Sequence, residues 1–211
     1  MHQEQTTNMP LHFIESDTQT RAEIVRVGMS LGHHCELYSD LSELAAHPPR
    51  SGVIVVRDCP EHGGIDLIMN RLMTLGISLP VVAMDENPSA TRVVDAVKAG
   101  ALDYLALPLK PERLSNCLSR ISREAPMVCE VRKRAIEARQ RLSALSGRER
   151  EVLDHLVNGG SNKEIARQLE ISPRTVEIHR ANMMSKLGAR HSADAIRLRM
   201  ESTIGSAMIL S

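Results

Sequence analysis

The stretch SNKEIARQLEISPRTVEIHRANMMSKLG, Ser161–Gly188, reads as two short helices joined by a tight turn. Ser161 and Glu164 have the Ser-x-x-Glu spacing of a capping box, in which each side chain satisfies the other residue's backbone amide, so a helix starts at Asn162. Ile165, Ala166 and Leu169 then fall on one face. Ile171-Ser172-Pro173 interrupts the pattern: Ser172 caps a second helix, and Pro173 suits a first turn, where no amide partner is needed. That helix runs to Gly188, a residue free to take the left-handed C-cap conformation. Val176, Met183, Met184 and Leu187 make its apolar stripe, which leaves Arg174, Thr175, Glu177, Ile178, Arg180 and Ala181 on the outward, N-terminal side. An ordinary helical hairpin needs no such polar, basic leading edge; a helix entering a DNA major groove does.

Outward from this stretch the helical pattern continues. Ser146 and Glu149 form a second capping box, opening a helix through Val157 with Val152, Leu153 and Leu156 inward, and Asn158-Gly159-Gly160 stops it. Ser192 caps a last helix, Ala193–Met200. Four helices in so short a span make a small all-α bundle. Upstream, Val128, Val131, Ala135, Ala138, Leu142 and Leu145 recur at intervals of three and four, an a/d seam with Arg-rich flanks. The seam is short and carries two alanines, so it suits either a dimerising linker helix or packing against a neighbouring domain.

The front of the chain alternates differently. Apolar runs at Leu11–Glu15, His34–Tyr38, Gly52–Val56, Pro80–Met84 and Leu102–Leu107 read as strands, interleaved with helices at Thr18–Leu31, Leu41–Ala46, Ile65–Leu75, Ala90–Ala99 and Pro111–Ile121. Five strands in this rhythm predict a doubly wound α/β parallel sheet. Arg123–Pro126 closes it. The expected domains are therefore 1–124, a helical linker 125–145, a helix-turn-helix domain 146–203 and a tail 204–211.

Charge agrees with this division. The 211 residues carry 26 Lys+Arg and 26 Asp+Glu, yet residues 1–129 hold 11 against 16 and residues 130–211 hold 15 against 10. Any polyanion meets the rear domain. The start, MHQEQTTNMP, lacks the regions of a signal peptide, no apolar run is long enough for a bilayer, and the four cysteines form no CxxC pair, so a cytoplasmic chain is expected. No phosphate-binding glycine loop, nucleophile elbow or clustered metal ligands are present, and His33-His34 and His62 are isolated. No enzyme, metal or cofactor is implied.

The run LSGREREVLDHLVNGGSNKEIARQLEISPRTVEIHRANMMSKLGAR resembles the LuxR-type helix-turn-helix of the FixJ/NarL class of response regulators, over Leu145–Met200. The resemblance implies double-stranded DNA as partner and a homodimer reading paired half-sites. Arg174, Thr175, Ile178 and Ala181 then face bases or thymine methyls, and Glu177 can accept from a cytosine amino group. Lys163, Arg180, Lys186 and Arg190 suit phosphates, while His179 either donates to a phosphate or packs inside.

Val93–Leu109, VVDAVKAGALDYLALPL, looks like the last helix-strand stretch of a receiver domain, with its KAGA-x-D-Y block and the proline after the receiver's lysine. Receivers hold Mg²⁺ on an acidic pair, phosphorylate an aspartate on the third strand, and clamp the phosphoryl oxygens with a hydroxyl and a lysine. By the family's spacing the acceptor position is Val56, the acidic pair Glu15 and Ser16 with Asp17 beside them, the hydroxyl position Asp85 and the lysine position Leu107. A valine accepts no phosphate and a leucine screens no charge, so the fold is expected without the reaction. A second reading makes Asp58 the acceptor, fed by a histidine kinase; on the other view Asp58 is a solvated loop residue. Asp85 is either a loop or capping aspartate or a built-in mimic of phosphate charge. Tyr104 takes the place of the receiver's switch aromatic, or is a half-buried strand tyrosine. A third reading makes the front an interaction module that sequesters a kinase or another regulator.

Overall fold

Short apolar runs separated by helix signals leave little choice but a sheet covered on both faces. The computed structural model describes residues 9–207 and shows that sheet: β1 (Leu11–Ile14), β2 (Cys35–Tyr38), β3 (Val53–Arg57), β4 (Val81–Asp85) and β5 (Asp103–Ala106). All pairings are parallel and the order is β2-β1-β3-β4-β5. The N-terminal stretch 1–8 and the end of the expected tail, 208–211, lie outside the described residues. Helices α1 (Thr18–Ser30), α2 (Leu41–Ala46), α3 (Gly64–Thr74) and α4 (Ala90–Lys98) connect the strands, with one 3-10 turn at Pro60–His62 before α3.

The period-two alternation of the strands sends side chains to two cores. Leu11, Phe13, Val53, Val55, Val82, Met84 and Leu105 face one; Ile14, Ile54, Val56, Val81, Ala83 and Tyr104 face the other. Register aligns Ile14 with Val56 and Val56 with Ala83, so the ends of β1, β3 and β4 finish together. In an open sheet of this order the strand order reverses between β1 and β3, and the crevice beyond their carboxyl ends is where such folds place ligands.

The described residues divide into two compact units, one ending at residue 133 and the other over 134–207. The boundary falls inside α5, which runs unbroken over Pro111–Ser143 with Pro126 in its interior. This corrects the expected stop at Arg123–Pro126. A proline removes one helical hydrogen bond and crowds the preceding turn, about 3 kcal/mol. Ile121 and Ala125 before it are buried in the first core, Cys129 after it packs on the same core, and Arg132 is buried too. That burial outweighs the local break.

The second unit is formed by the end of α5 with α6 (Gly147–Val157), α7 (Asn162–Gln168), α8 (Pro173–Leu187) and α9 (Ser192–Ala207). Ala138, Leu142 and Leu145 sit in its core with Val152, Leu153, Ile165, Val176, Met183 and Leu187. Of the two readings of the a/d seam, packing within the chain therefore holds for these three residues. Both capping boxes form, at Ser146/Glu149 and Ser161/Glu164. Gly188 caps α8 in the left-handed region at φ 62. One detail differs from expectation. Ser192 accepts from an arginine, while Asp194 takes the backbone amides of Arg190 and His191. The turn between α7 and α8 depends on Glu170, left-handed at φ 56 and not a glycine.

Glu149 does more than cap. It is 4% exposed and its Oε2 accepts from Lys186 Nζ of α8 at 2.8 Å, tying α8 to the start of α6. The Lys186 ammonium, ahead of the cap amide, holds the Glu149 carboxyl below the usual range. A carboxyl depressed in the folded state contributes stability that is present above its unfolded pKa and lost as pH falls through the folded one. Lys186→Ala is therefore expected to melt earlier than the parent at pH 7, with the gap closing as acid protonates Glu149. Thermal melts across the acid range check this, and a gap that does not vary with pH contradicts it.

Candidate nucleic-acid interface and the carboxylate cluster of the sheet

In the second unit the Ser172 hydroxyl accepts from the Thr175 amide at 3.0 Å and pairs with the Thr175 hydroxyl at 2.8 Å, so both residues fix the start of α8. Beyond that cap the outer face of α8 is open. Arg174 is 81% exposed at its side chain and donates to Glu177 at 2.9 Å, an exposed pair one helical turn long. Such a pair contributes about 0–1 kcal/mol, so either member is readily redirected to a base. Ile178 is half exposed, an unusual position for a large aliphatic side chain, and Ala181 lies one turn further on the same face. Lys163 and Arg190 are exposed, and His179 is half-buried.

Two residues expected at phosphates are paired with other elements of the bundle, Arg180 half-buried and Lys186 from the surface. Arg180 donates to Asn162 Oδ1 at the start of α7 and to Ser192 Oγ at 2.7 Å at the start of α9. Lys186 is the partner of buried Glu149. Both brace α8 against its neighbours, a role that spacing along one helix does not reveal.

In the first unit, the ends of β1, β3 and β4 bring together Glu15, Asp58, Asp85 and, just beyond, Glu86. Glu15 is 2% exposed; its Oε1 accepts from the Asp17 amide at 2.9 Å and its Oε2 faces Arg57 Nη1 at 3.6 Å. Neither of those last two atoms has a hydrogen-bond partner. Ser16 is exposed, and Asp17 is the N-cap of α1, its carboxylate accepting from the Thr20 amide at 2.7 Å. Arg57 also donates to Glu86 at 2.8 Å and stands 4.0 Å from Asp85.

Asp58 corrects the reading as a solvated loop residue: it is 6% exposed. Arg92, on the first turn of α4, donates through Nε to Asp58 Oδ2 at 3.3 Å, through Nη2 to the Asp58 carbonyl, and through Nη1 to Asp85 Oδ2 at 2.6 Å. The Tyr104 hydroxyl donates to the same Asp58 Oδ2 at 2.9 Å. Tyr104 is thus buried rather than half-buried, and burial together with the Asp58 carboxylate pushes its hydroxyl pKa well up. Asp85 is not the cap of α4; Ser89 is. Val56 and Leu107 are both buried in apolar cores.

Arg57 and Arg92 are the residues that sequence reasoning missed. Each guanidinium bridges carboxylates from different strands or loops, and the two together oppose four acidic groups. The available signal was indirect: with a leucine at position 107, several acids meeting at one sheet edge require a cation from elsewhere. Among the described residues no group of three or more metal-ligating side chains is arranged to hold a metal ion, and no helix is long and apolar enough to cross a membrane.

Comparison with known proteins bears on both units. Residues 143–199 match the family model of the bacterial regulatory proteins of the luxR family. The transcriptional regulatory protein FixJ of Bradyrhizobium diazoefficiens is 33% identical over 198 residues, 92% of this chain and 96% of that protein. FixJ of Rhizobium meliloti is 31% identical over 202 residues, covering 94% and 98%. The crystal structure of full-length FixJ from B. japonicum superposes with a TM-score of 0.51 at 28% identity, over 94% of this chain and 98% of that one. With a receiver-type sheet in front and a luxR-family DNA-binding helix-turn-helix behind, the chain belongs to the FixJ-type transcriptional response regulators.

Proposed function

We propose that this regulator controls sequence-specific DNA binding without aspartyl phosphorylation. The observation that carries the reading is the pair of guanidinium groups, Arg57 and Arg92, lodged among Glu15, Asp58, Asp85 and Glu86. They supply the positive charge that a divalent cation supplies in a working receiver, while Leu107 and Asp85 stand where phosphoryl oxygens need a lysine and a hydroxyl. Asp58 Oδ2 takes two hydrogen bonds, from Arg92 Nε and the Tyr104 hydroxyl, which hold the carboxylate against the sheet.

The output is α8. Arg174 reads a guanine once it leaves Glu177, Ile178 and Ala181 lie against thymine methyls, and Glu177 accepts from a cytosine amino group. Lys163 and Arg190 fix position on phosphates. Thr175 serves the cap first, and Arg180 and Lys186 act as braces. One such helix supplies little affinity, so the regulator works in the cytoplasm as a homodimer on paired half-sites. On this reading the chain is organised as a receiver-like domain, a helical linker within the second half of α5 and the output domain 146–203.

Two experiments test the proposal. Incubation with a small-molecule phosphodonor and Mg²⁺, followed by intact mass measurement and gel shifts, is expected to give no adduct and unchanged binding to a selected operator. An adduct that forms on the parent and is lost in Asp58→Ala overturns it in favour of a kinase-fed switch. Arg174→Ala is expected to weaken binding to the selected operator by about 1–3 kcal/mol and relax the sequence preference at one base pair. Equal weakening on all sequences reassigns Arg174 to a phosphate.

A further inference from the structure

Arg132 is 6% exposed, yet among the described residues no carboxylate lies within ion-pair distance of it. Its guanidinium donates through Nη1 to the Leu79 carbonyl at 3.2 Å and through Nη2 to the Gly100 carbonyl. Burying an arginine against neutral carbonyls is an expensive arrangement, since desolvation disfavours the charged form and no opposite charge offsets it. The site is shaped for the guanidinium: Gly100 sits at φ 107, and a Cβ there would come within 3.1 Å of Arg132 Nη2. Gly100 follows the C-terminal end of α4, whose dipole favours a cation; the carbonyls of Asp95, Ala96 and Val97 are taken by the amides of Ala99, Ala101 and Gly100, and the Gly100 carbonyl is left to Arg132.

The other end of the same helix is held by the carboxylate cluster, through Arg92 on its first turn. Helix α4 is therefore gripped at both ends by arginine, about 12 Å apart along its axis. One grip is to the sheet edge; the other is to α5, one residue before the boundary between the two units. A nine-residue helix shifts as a body rather than deforming internally.

We propose that Arg132 is a positioning residue that clamps residues 127–133 of α5 onto the first unit, and that α4 is the strut through which the Asp58–Asp85–Arg92 cluster governs that clamp. Any ligand or protein that draws Arg92 from its carboxylates moves the Gly100 carbonyl away from Arg132 and releases the linker where it leaves the first unit. The device works on charge rearrangement alone and does not depend on Asp58 being phosphorylated.

Hydrogen–deuterium exchange on the full chain tests it, with the amides of β3 and β4 as the control for an intact sheet. Arg132→Gln is expected to speed exchange across residues 127–133 by about tenfold or more, the loss of hydrogen bonds to a charged group. Arg92→Gln, which removes side-chain hydrogen bonds to Asp58 and Asp85, is expected to speed exchange in that same segment. Arg92→Gln loosening α4 while residues 127–133 exchange at the parental rate overturns the strut. An unchanged rate in Arg132→Gln overturns the clamp, and should that variant lose sheet protection, the Arg92→Gln result decides alone.

Discussion

Four carboxylates meeting at one sheet edge repel one another unless a cation stands between them. At 4 Å and an effective dielectric near 20, each such pair interacts by about 4 kcal/mol. In this chain the cation is supplied by the protein: Arg57 from the end of β3 and Arg92 from the first turn of α4. Arg92 ties α4 to Asp58 and Asp85, and Tyr104 donates to the same Asp58, while Ala96 and Tyr104 pack in the apolar core beneath. The response-regulator fold gathers acids at the carboxyl ends of β1, β3 and β4, and here Arg57 and Arg92 lie among them.

The second unit solves a different problem. A recognition helix must present a polar face outward while held firmly by its back, and α8 has few aromatic contacts to hold it. Its apolar back, Val176, Met183 and Leu187, is supplemented by three polar ties: the Ser172 cap, Arg180 to the starts of α7 and α9, and Lys186 to buried Glu149. These ties leave Arg174, Glu177, Ile178 and Ala181 on the open face, where Arg174 and Glu177 pair with each other.

What was legible in the sequence was local. The two Ser-x-x-Glu capping boxes, the glycine stops and the strand alternation each involve residues within a few positions of one another, and the structure has them where they were expected. What was not legible depended on residues far apart in the chain. Arg57 and Arg92 become counter-ions only when three strands finish side by side, and Asp58 is buried with Arg92, 34 positions away, and Tyr104, 46 positions away, bonded to it. Lys186 and Arg180 read as surface cations until α6, α7 and α9 arrive beside them. Pro126 was read as a break because its local signal is strong; core contacts on either side of it, at Ile121, Ala125 and Cys129, carry α5 through.

The central claim, that internal guanidinium groups stand in for a divalent cation at the sheet edge, is tested most directly by calorimetric titration with Mg²⁺ of the parent and of the Arg57→Gln/Arg92→Gln double variant. The parent is expected to give no binding heat at millimolar Mg²⁺, and the double variant to bind it saturably once both arginines are neutralised and the acids are left uncompensated. Saturable Mg²⁺ binding by the parent with Arg57 and Arg92 intact would contradict it.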